Sequence, residues 1–186
     1  FKRISQNDII QRLEYVVKAE NVQAEMPALQ VISQIAAGGL RDALSILDQA
    51  ISTCKGQVTL DGVLAITGAV DVRKIGTLLT YIANKQTEQA LQHFNACYES
   101  GSEPRFFIEE MMIYLRDILV SIRMGEKASL KKAGTDVNFP QVVQAIEVSN
   151  VFGYLNVLQE ALNNLKMHHD QQLLLEMTII NMINGG

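Results

Sequence analysis

AAGGLRDALSILDQAI, from Ala36 to Ile51, decides how the first part of this chain folds. Gly38 and Gly39 interrupt one helical pattern, and a second begins directly behind them. Leu40, Leu44, Leu47 and Ile51 recur at helical spacing, which predicts one buried stripe. Arg41 falls in the first turn of that helix, where the backbone carries partial positive charge and unpaired N–H groups that prefer anions. A cation there makes sense if Arg41 and the helix end both face an anion supplied from elsewhere, and phosphate is the obvious candidate. The plainer alternative is an exposed helix arginine, with Asp42, Ser45 and Asp48 as available partners. Asp42 is an ordinary first-turn acid, stabilising its helix by ~0.3–1 kcal/mol.

Outward from this stretch, helical signals dominate and strand signals are nearly absent. Ser5 with Asp8 resembles a capping box, followed at helical spacing by Ile9, Ile10, Leu13, Val16 and Val17. Pro27 opens a second helix with Leu29, Ile32 and Ile35 inward, and Gly38 or Gly39 suits a left-handed cap. Cys54-Lys55-Gly56 ends the third helix, and Thr59 caps a short fourth through Ile66. Gly68 marks a boundary after this compact unit. Beyond it the pattern predicts helices near 71–84, 87–99, 104–124, 140–148, 151–166 and 170–184, with Asp71 and Asp170 as N-caps and Pro104 at a helix start. Gly125 to Asn138, with Lys127, Lys131 and Lys132, reads as a flexible, solvated connector.

The helix at 104–124 is apolar almost all round, which predicts cover on more than one side. Two explanations stand: a central helix of a bundle, or a helix that also packs against a neighbouring subunit. In the second case Phe106, Phe107, Met111, Tyr114 and Ile118 are the expected contacts.

Composition narrows the function classes. The 186 residues are 48% hydrophobic, enough for a substantial core in one domain or two small ones. A net charge of −4 argues against a dedicated nucleic-acid binder, yet permits a part in a nucleic-acid machine through protein contacts. Cys54 and Cys97 are too few for a disulfide scaffold and suit a reducing cytoplasm. No apolar run has the length of a membrane span, and the start, FKRISQND, carries neither a signal-type segment nor an initiator Met. The chain is therefore expected to be a cytosolic piece of something longer. It holds no GxxxxGK[ST] phosphate loop and no apolar strand ending in paired acids for magnesium. His93 and Cys97 share a helix face, but two ligands do not make a metal site, and His168-His169-Asp170 reads as an inter-helix loop. Nothing is arranged for nucleophilic catalysis, so the expectation is that this chain alone is not an enzyme.

GGLRDALSILDQA at Gly38–Ala50, followed by GQVTLDGVLAITGAVD at Gly56–Asp71, closely resembles the tau/gamma family of bacterial DNA polymerase III clamp-loader subunits. FKRISQNDIIQRLEYVVKAENV resembles the segment that follows the ATPase core of that family, and LLLEMTIINM its last collar helix. The resemblance implies an all-α fold: a small AAA+ helical lid over residues 1–67, then a collar or oligomerisation domain over 68–186. It implies that Arg41, by its place in the GxxRDAL pattern, is the sensor-2 arginine that reaches the γ-phosphate of ATP. The ATPase core, with its phosphate loop, magnesium acids, arginine finger and zinc cysteines, would precede this lid. No cofactor is expected within these residues themselves. Other copies of the subunit, delta and delta-prime would be partners in the bacterial cytoplasm. The sliding clamp and primer-template DNA would be reached through the assembled complex. The competing expectations are the C-terminal helical region of another AAA+ protein, whose sensor-2 motif would differ around RDALSILDQ, and a free-standing helical adaptor.

Overall fold

The computed structural model describes residues 4–54, 56–125 and 128–185. Among these residues the chain forms ten α-helices and a pair of two-residue strands, and it divides into two compact units, 1–69 and 70–186.

The first unit contains α1 (Gln6–Ala19), β1 (Gln23–Ala24), α2 (Met26–Ile35), α3 (Leu40–Thr53), β2 (Gln57–Val58) and α4 (Leu60–Thr67). Ser5 starts α1 by accepting from the Asp8 N–H at 3.2 Å, while its hydroxyl donates to the Asp8 carboxylate at 2.7 Å. Thr59 starts α4 through the Gly62 N–H. The connectors before α2 and α4 meet as a short parallel bridge, Gln23 opposite Gln57 and Ala24 opposite Val58. Glu25 strengthens it by accepting the Leu60 N–H at 2.7 Å, a carboxylate at the positive end of α4. Strand pairing this short has no periodic signature, and the sequence pattern did not anticipate it.

Ile9, Leu13, Leu29, Ile32 and Leu47 form the centre of this unit. The buried stripe of α3 differs from the expected one. Ala43, Leu47 and Ala50 are fully buried, whereas Leu44 and Ile51 pack partly buried at its flanks and Leu40 is half-exposed. Small alanines at a helix contact let neighbouring backbones approach, so the larger leucines move to the sides. Ile35, expected inward, is exposed at the end of α2.

The second unit contains α5 (Val72–Ala83), α6 (Thr87–Glu99), α7 (Pro104–Met124), a 3-10 turn (Ala133–Thr135), α8 (Phe139–Ala145), α9 (Val148–Asn164) and α10 (Gln171–Asn184). Asp71 and Asp170 cap α5 and α10 as expected, accepting from Arg73 N–H and Leu173 N–H. The expected helix at 140–148 stops earlier, because Ile146 turns extended (ψ 119°) and buries its side chain before α9 begins. α7 lies centrally, packed against α5, α9 and α10. Its buried positions, Phe107, Ile108, Met111, Tyr114, Leu115 and Ile118, line one broad stripe.

The segment after α7 is not the solvated connector its lysines suggested. Asp117 is fully buried and accepts backbone N–H groups from Lys131, Lys132 and Ala133 at 2.9–3.0 Å, with the Arg116 guanidinium at 2.7 Å. Burial pushes the Asp117 carboxyl up, but these donors outweigh it and hold the group below the usual carboxylate range. Lys132 pairs with Glu110 on α7, and Arg116 also donates to the Ser129 carbonyl. Asp136, likewise buried, accepts the Tyr114 hydroxyl at 2.8 Å. The segment is thus bonded to α7 at Ser129, Lys131, Lys132, Ala133 and Asp136. Lys127 lies outside the described residues.

Candidate functional site

Arg41 owes its position to the turn between α2 and α3. Ala36 closes α2, Ala37 and Gly38 take left-handed backbone (φ 48° and 95°), and Gly39 is the N-cap of α3 (φ −89°, ψ 99°). A left-handed alanine is uncommon, and the turn is fixed by Gly39 N–H donating to Ala36 O at 2.8 Å. The Ile4 N–H donates to Gly38 O, tying the segment before α1 to the same turn. Gly39 offers no side-chain cap, so the first turn of α3 keeps its free N–H groups.

Arg41, second residue of α3, is exposed and has no hydrogen-bond or ion-pair partner among the described residues. It does not pair with Asp42, Ser45 or Asp48, and an exposed helix arginine is what the plainer alternative describes as well. A free guanidinium beside a helix N-terminus is a group that can take a phosphate in charge-assisted contact. Ile4 and Ile35 are exposed apolar residues, at the start of the chain's first helix and at the end of α2.

The five residues expected to face a neighbouring subunit divide. Phe107, Met111, Tyr114 and Ile118 are between 0% and 1% exposed and belong to the core of the second unit. Phe107 stacks edge-on against Phe94, and Tyr114 against Phe139 besides its bond to Asp136. Their spacing is the inner stripe of α7, so these four are corrected from interface to core. Phe106 alone is exposed, at 37%. The apolar residues that α7 leaves outside are Phe106, Ile122 and Met124, with Ile113 and Val120 half-exposed.

A second face went unread in the sequence. Leu173 and Met177 on α10 are exposed, and an open groove of about 350 Å³ runs between α9 and α10, with Val157, Ala161, Met177, Asn164, Asn181 and Asn184 among its lining. The signal was present: LLLEMTIINM is apolar on nearly every side, as α7 is.

His93 donates or accepts through Nε2 at the Lys74 carbonyl, 2.9 Å away, and its ring meets Tyr81 edge-on. Cys97 is buried, and burial raises its thiol above the ordinary range. Among the described residues no group of three or more His, Cys, Asp and Glu side chains could hold a metal ion, and no helix is long and apolar enough to cross a membrane.

Comparison with known proteins gives these features a setting. The family model for the ATPase lid domain of the DNA polymerase III clamp loader subunit matches residues 8–56, and that for domain III of DNA polymerase III subunits gamma and tau matches residues 58–185. Helix α4 thus falls in the second match although it packs within the first unit. The chain is 32% identical over 181 residues to the tau subunit of DNA polymerase III from Bacillus subtilis, covering 97% of this chain and 32% of that protein. It is 29% identical to the gamma subunit from Buchnera aphidicola subsp. Baizongia pistaciae, covering 98% of this chain and 50% of the relative. The tau subunit of Escherichia coli is 26% identical, covering 96% of this chain and 28% of the relative. The chain therefore spans about a third to a half of the length of these relatives. Among solved structures, the clamp loader delta protein of Bacillus subtilis matches with a TM-score of 0.52 and 17% identity over 99% of this chain and 58% of that one, a likeness of fold.

Proposed function

The chain belongs to the family of DNA polymerase III gamma and tau subunits, and on that premise we propose that it serves ATP-driven loading of sliding clamps onto primer-template DNA. Its first unit acts as the lid of an AAA+ ATPase and its second as the collar that joins loader subunits. The single observation that carries the lid role is Arg41: exposed, partnerless, at the second position of α3 and inside the stretch matched by the lid family.

Arg41 meets the γ-phosphate of ATP held by the ATPase core of the same subunit. A guanidinium gives phosphate a short, directional, charge-assisted contact, and that contact is lost when the terminal phosphate leaves. The lid can then move with nucleotide state while the collar keeps the subunits together. Magnesium and zinc belong to the core that precedes the lid, as the resemblance implies. On this reading the groups that polarise the γ-phosphate, Arg41 apart, belong to that core, and this chain by itself is expected to turn over no ATP. Nucleotidyl transfer belongs to the polymerase and not to the loader. The partners are further copies of the subunit, delta and delta-prime, in the bacterial cytoplasm. Phe106 on α7 remains a candidate contact.

The test is Arg41→Ala in the complete subunit. ATP-coupled clamp loading is expected to fall sharply while assembly with delta and delta-prime persists. A variant that fails to assemble would make Arg41 structural. The isolated chain should hydrolyse ATP no faster than a heat-killed control, and turnover above that background would overturn the division of labour.

A further inference from the structure

Glu25 stands at the N-cap of α2, yet its side chain makes no capping bond to that helix. Its Oε2 instead accepts the Leu60 N–H of α4 at 2.7 Å, 35 residues along the chain. The Glu25 N–H donates to the Val58 carbonyl at 2.9 Å, beside the bridge that sets Gln23 opposite Gln57 and Ala24 opposite Val58. One residue thus joins the start of α2 to the chain just beyond the end of α3. A residue that served only to begin α2 would be Asp, Ser or Thr, whose short side chains reach their own helix.

The consequence lies at the other end of these helices. α2 and α3 pack together and are joined by the turn in which the Gly39 N–H donates to the Ala36 carbonyl at 2.8 Å. With the turn at one end and Glu25 at the other, the pair becomes a closed frame, and α4 packs against both helices. The core they share, Leu29, Ile32, Leu47 and Val63 among it, holds them together without direction. Direction comes from the hydrogen bonds at the two ends. Arg41 stands at the turn end of α3. That helix has 14 residues, about 20 Å at the usual rise, so a tilt of about 5° at its far end moves the Arg41 end by about 2 Å. A side chain that must meet one phosphate has to be held to roughly 0.5 Å.

Resting on the nucleotide-sensing role of Arg41, we propose that Glu25 is a positioning residue for it. By closing the open end of the α2–α3 pair onto α4, its carboxylate fixes the direction of α3 and so the place from which Arg41 meets the terminal phosphate. Glu25 touches no nucleotide and acts through Arg41.

The experiment measures ATP and ADP dissociation constants and thermal melts for the complete subunit and its Glu25→Ala, Glu25→Asp, Glu25→Gln and Arg41→Ala variants, with the Glu25→Ala/Arg41→Ala double variant beside them. Glu25→Ala should weaken ATP about 3–10-fold, within the range for coupled residues, and leave ADP nearly unchanged. Glu25→Asp separates position from stability. Aspartate is a good N-cap for α2 but a methylene too short for the Leu60 N–H, so ATP should weaken with little fall in melting temperature. Glu25→Gln keeps an acceptor at the same reach and should bind ATP close to the unaltered subunit. In the Arg41→Ala background, Glu25→Ala should add nothing. If Glu25→Ala and Glu25→Asp leave ATP affinity as it was, or if the double variant is weaker than Arg41→Ala by the full Glu25 factor, Glu25 is a structural clamp only, and the inference fails while the sensor role stands. If Arg41→Ala leaves ATP affinity untouched, the sensor role fails, and the inference with it.

Discussion

The two units use charge in opposite ways. In the second, Asp117 and Asp136 are turned inward, fully bonded, and tie the chain after α7 to the core. In the first, the only buried polar side chain among the described residues is Ser33, and the informative cation, Arg41, is left outside with no partner. Buried, satisfied carboxylates make a rigid body, since removing any one donor or acceptor strands the rest. A free guanidinium on a helix with a modest core contributes little to stability and stays available for a ligand. This contrast is what the proposed division into scaffold and sensor rests on.

The largest expected effect is on the scaffold side. Asp117→Ala would leave three backbone N–H groups without their acceptor and the Arg116 guanidinium with the Ser129 carbonyl alone, a loss of roughly 3–5 kcal/mol for removal of a buried, hydrogen-bonded charge. Urea unfolding should register this in the second unit. A loss below about 1 kcal/mol would mean the segment is not held as described.

Next comes Gly76→Ala. A Cβ there would stand 2.4 Å from Asp136 Oδ2 and 2.6 Å from the Tyr114 hydroxyl, both buried, so the Tyr114–Asp136 bond must give way. A cost of about 1–3 kcal/mol is expected from overpacking of this kind. The shift in denaturation midpoint should shrink markedly when the same change is made in a Tyr114→Phe background, because the two share one contact.

The pH dependence should follow the same groups. Asp117 and Asp71 sit below their ordinary range in the folded chain: burial raises each, but hydrogen bonds to the backbone and to Arg116 or Arg73 outweigh it. Their contribution is present above the unfolded carboxylate value of about 3.9 and is lost as pH falls through the lower folded value. Tyr114 is raised by burial and then by Asp136, so its contribution is complete below about pH 10 and declines as pH rises beyond that. Thermal melts should therefore show a plateau across neutral pH with a fall at each extreme. An Asp117→Asn variant should lose much of the acid-side fall.

The smallest stability effect is predicted for Arg41→Ala, within about 0.5 kcal/mol as for an exposed residue with no contacts. A larger cost would erase the contrast between the units.

Much of this was legible in the sequence because helix ends have local chemistry. Asp71, Asp170, Thr59 and Ser5 announced helix starts, and the helices at 87–99 and 104–124 match α6 and α7 at both ends. What escaped depends on contacts distant in sequence. The inner and outer faces of α7 have similar residues, so Phe107, Met111, Tyr114 and Ile118 could not be told from Phe106 without the neighbouring helices. The lysines at 131 and 132 looked solvated because what holds them is distant in sequence: their backbone N–H groups bond Asp117, and the Lys132 ammonium pairs with Glu110, both on α7. The α3 stripe shifted for a related reason: alanines mark a close helix contact but carry little hydrophobic signal. At the candidate site the residue types brought Arg41 forward, and the coordinates add that it is exposed without a partner among the described residues.

The most direct test of the sensor-and-scaffold account compares the complete subunit with its Arg41→Ala variant, mixed with delta and delta-prime. Assembly mass and ATP-driven clamp loading would be read on the same samples. The account predicts complexes of equal mass and a severe loss of loading in the variant. Equal loading, or a complex that no longer forms, would contradict it.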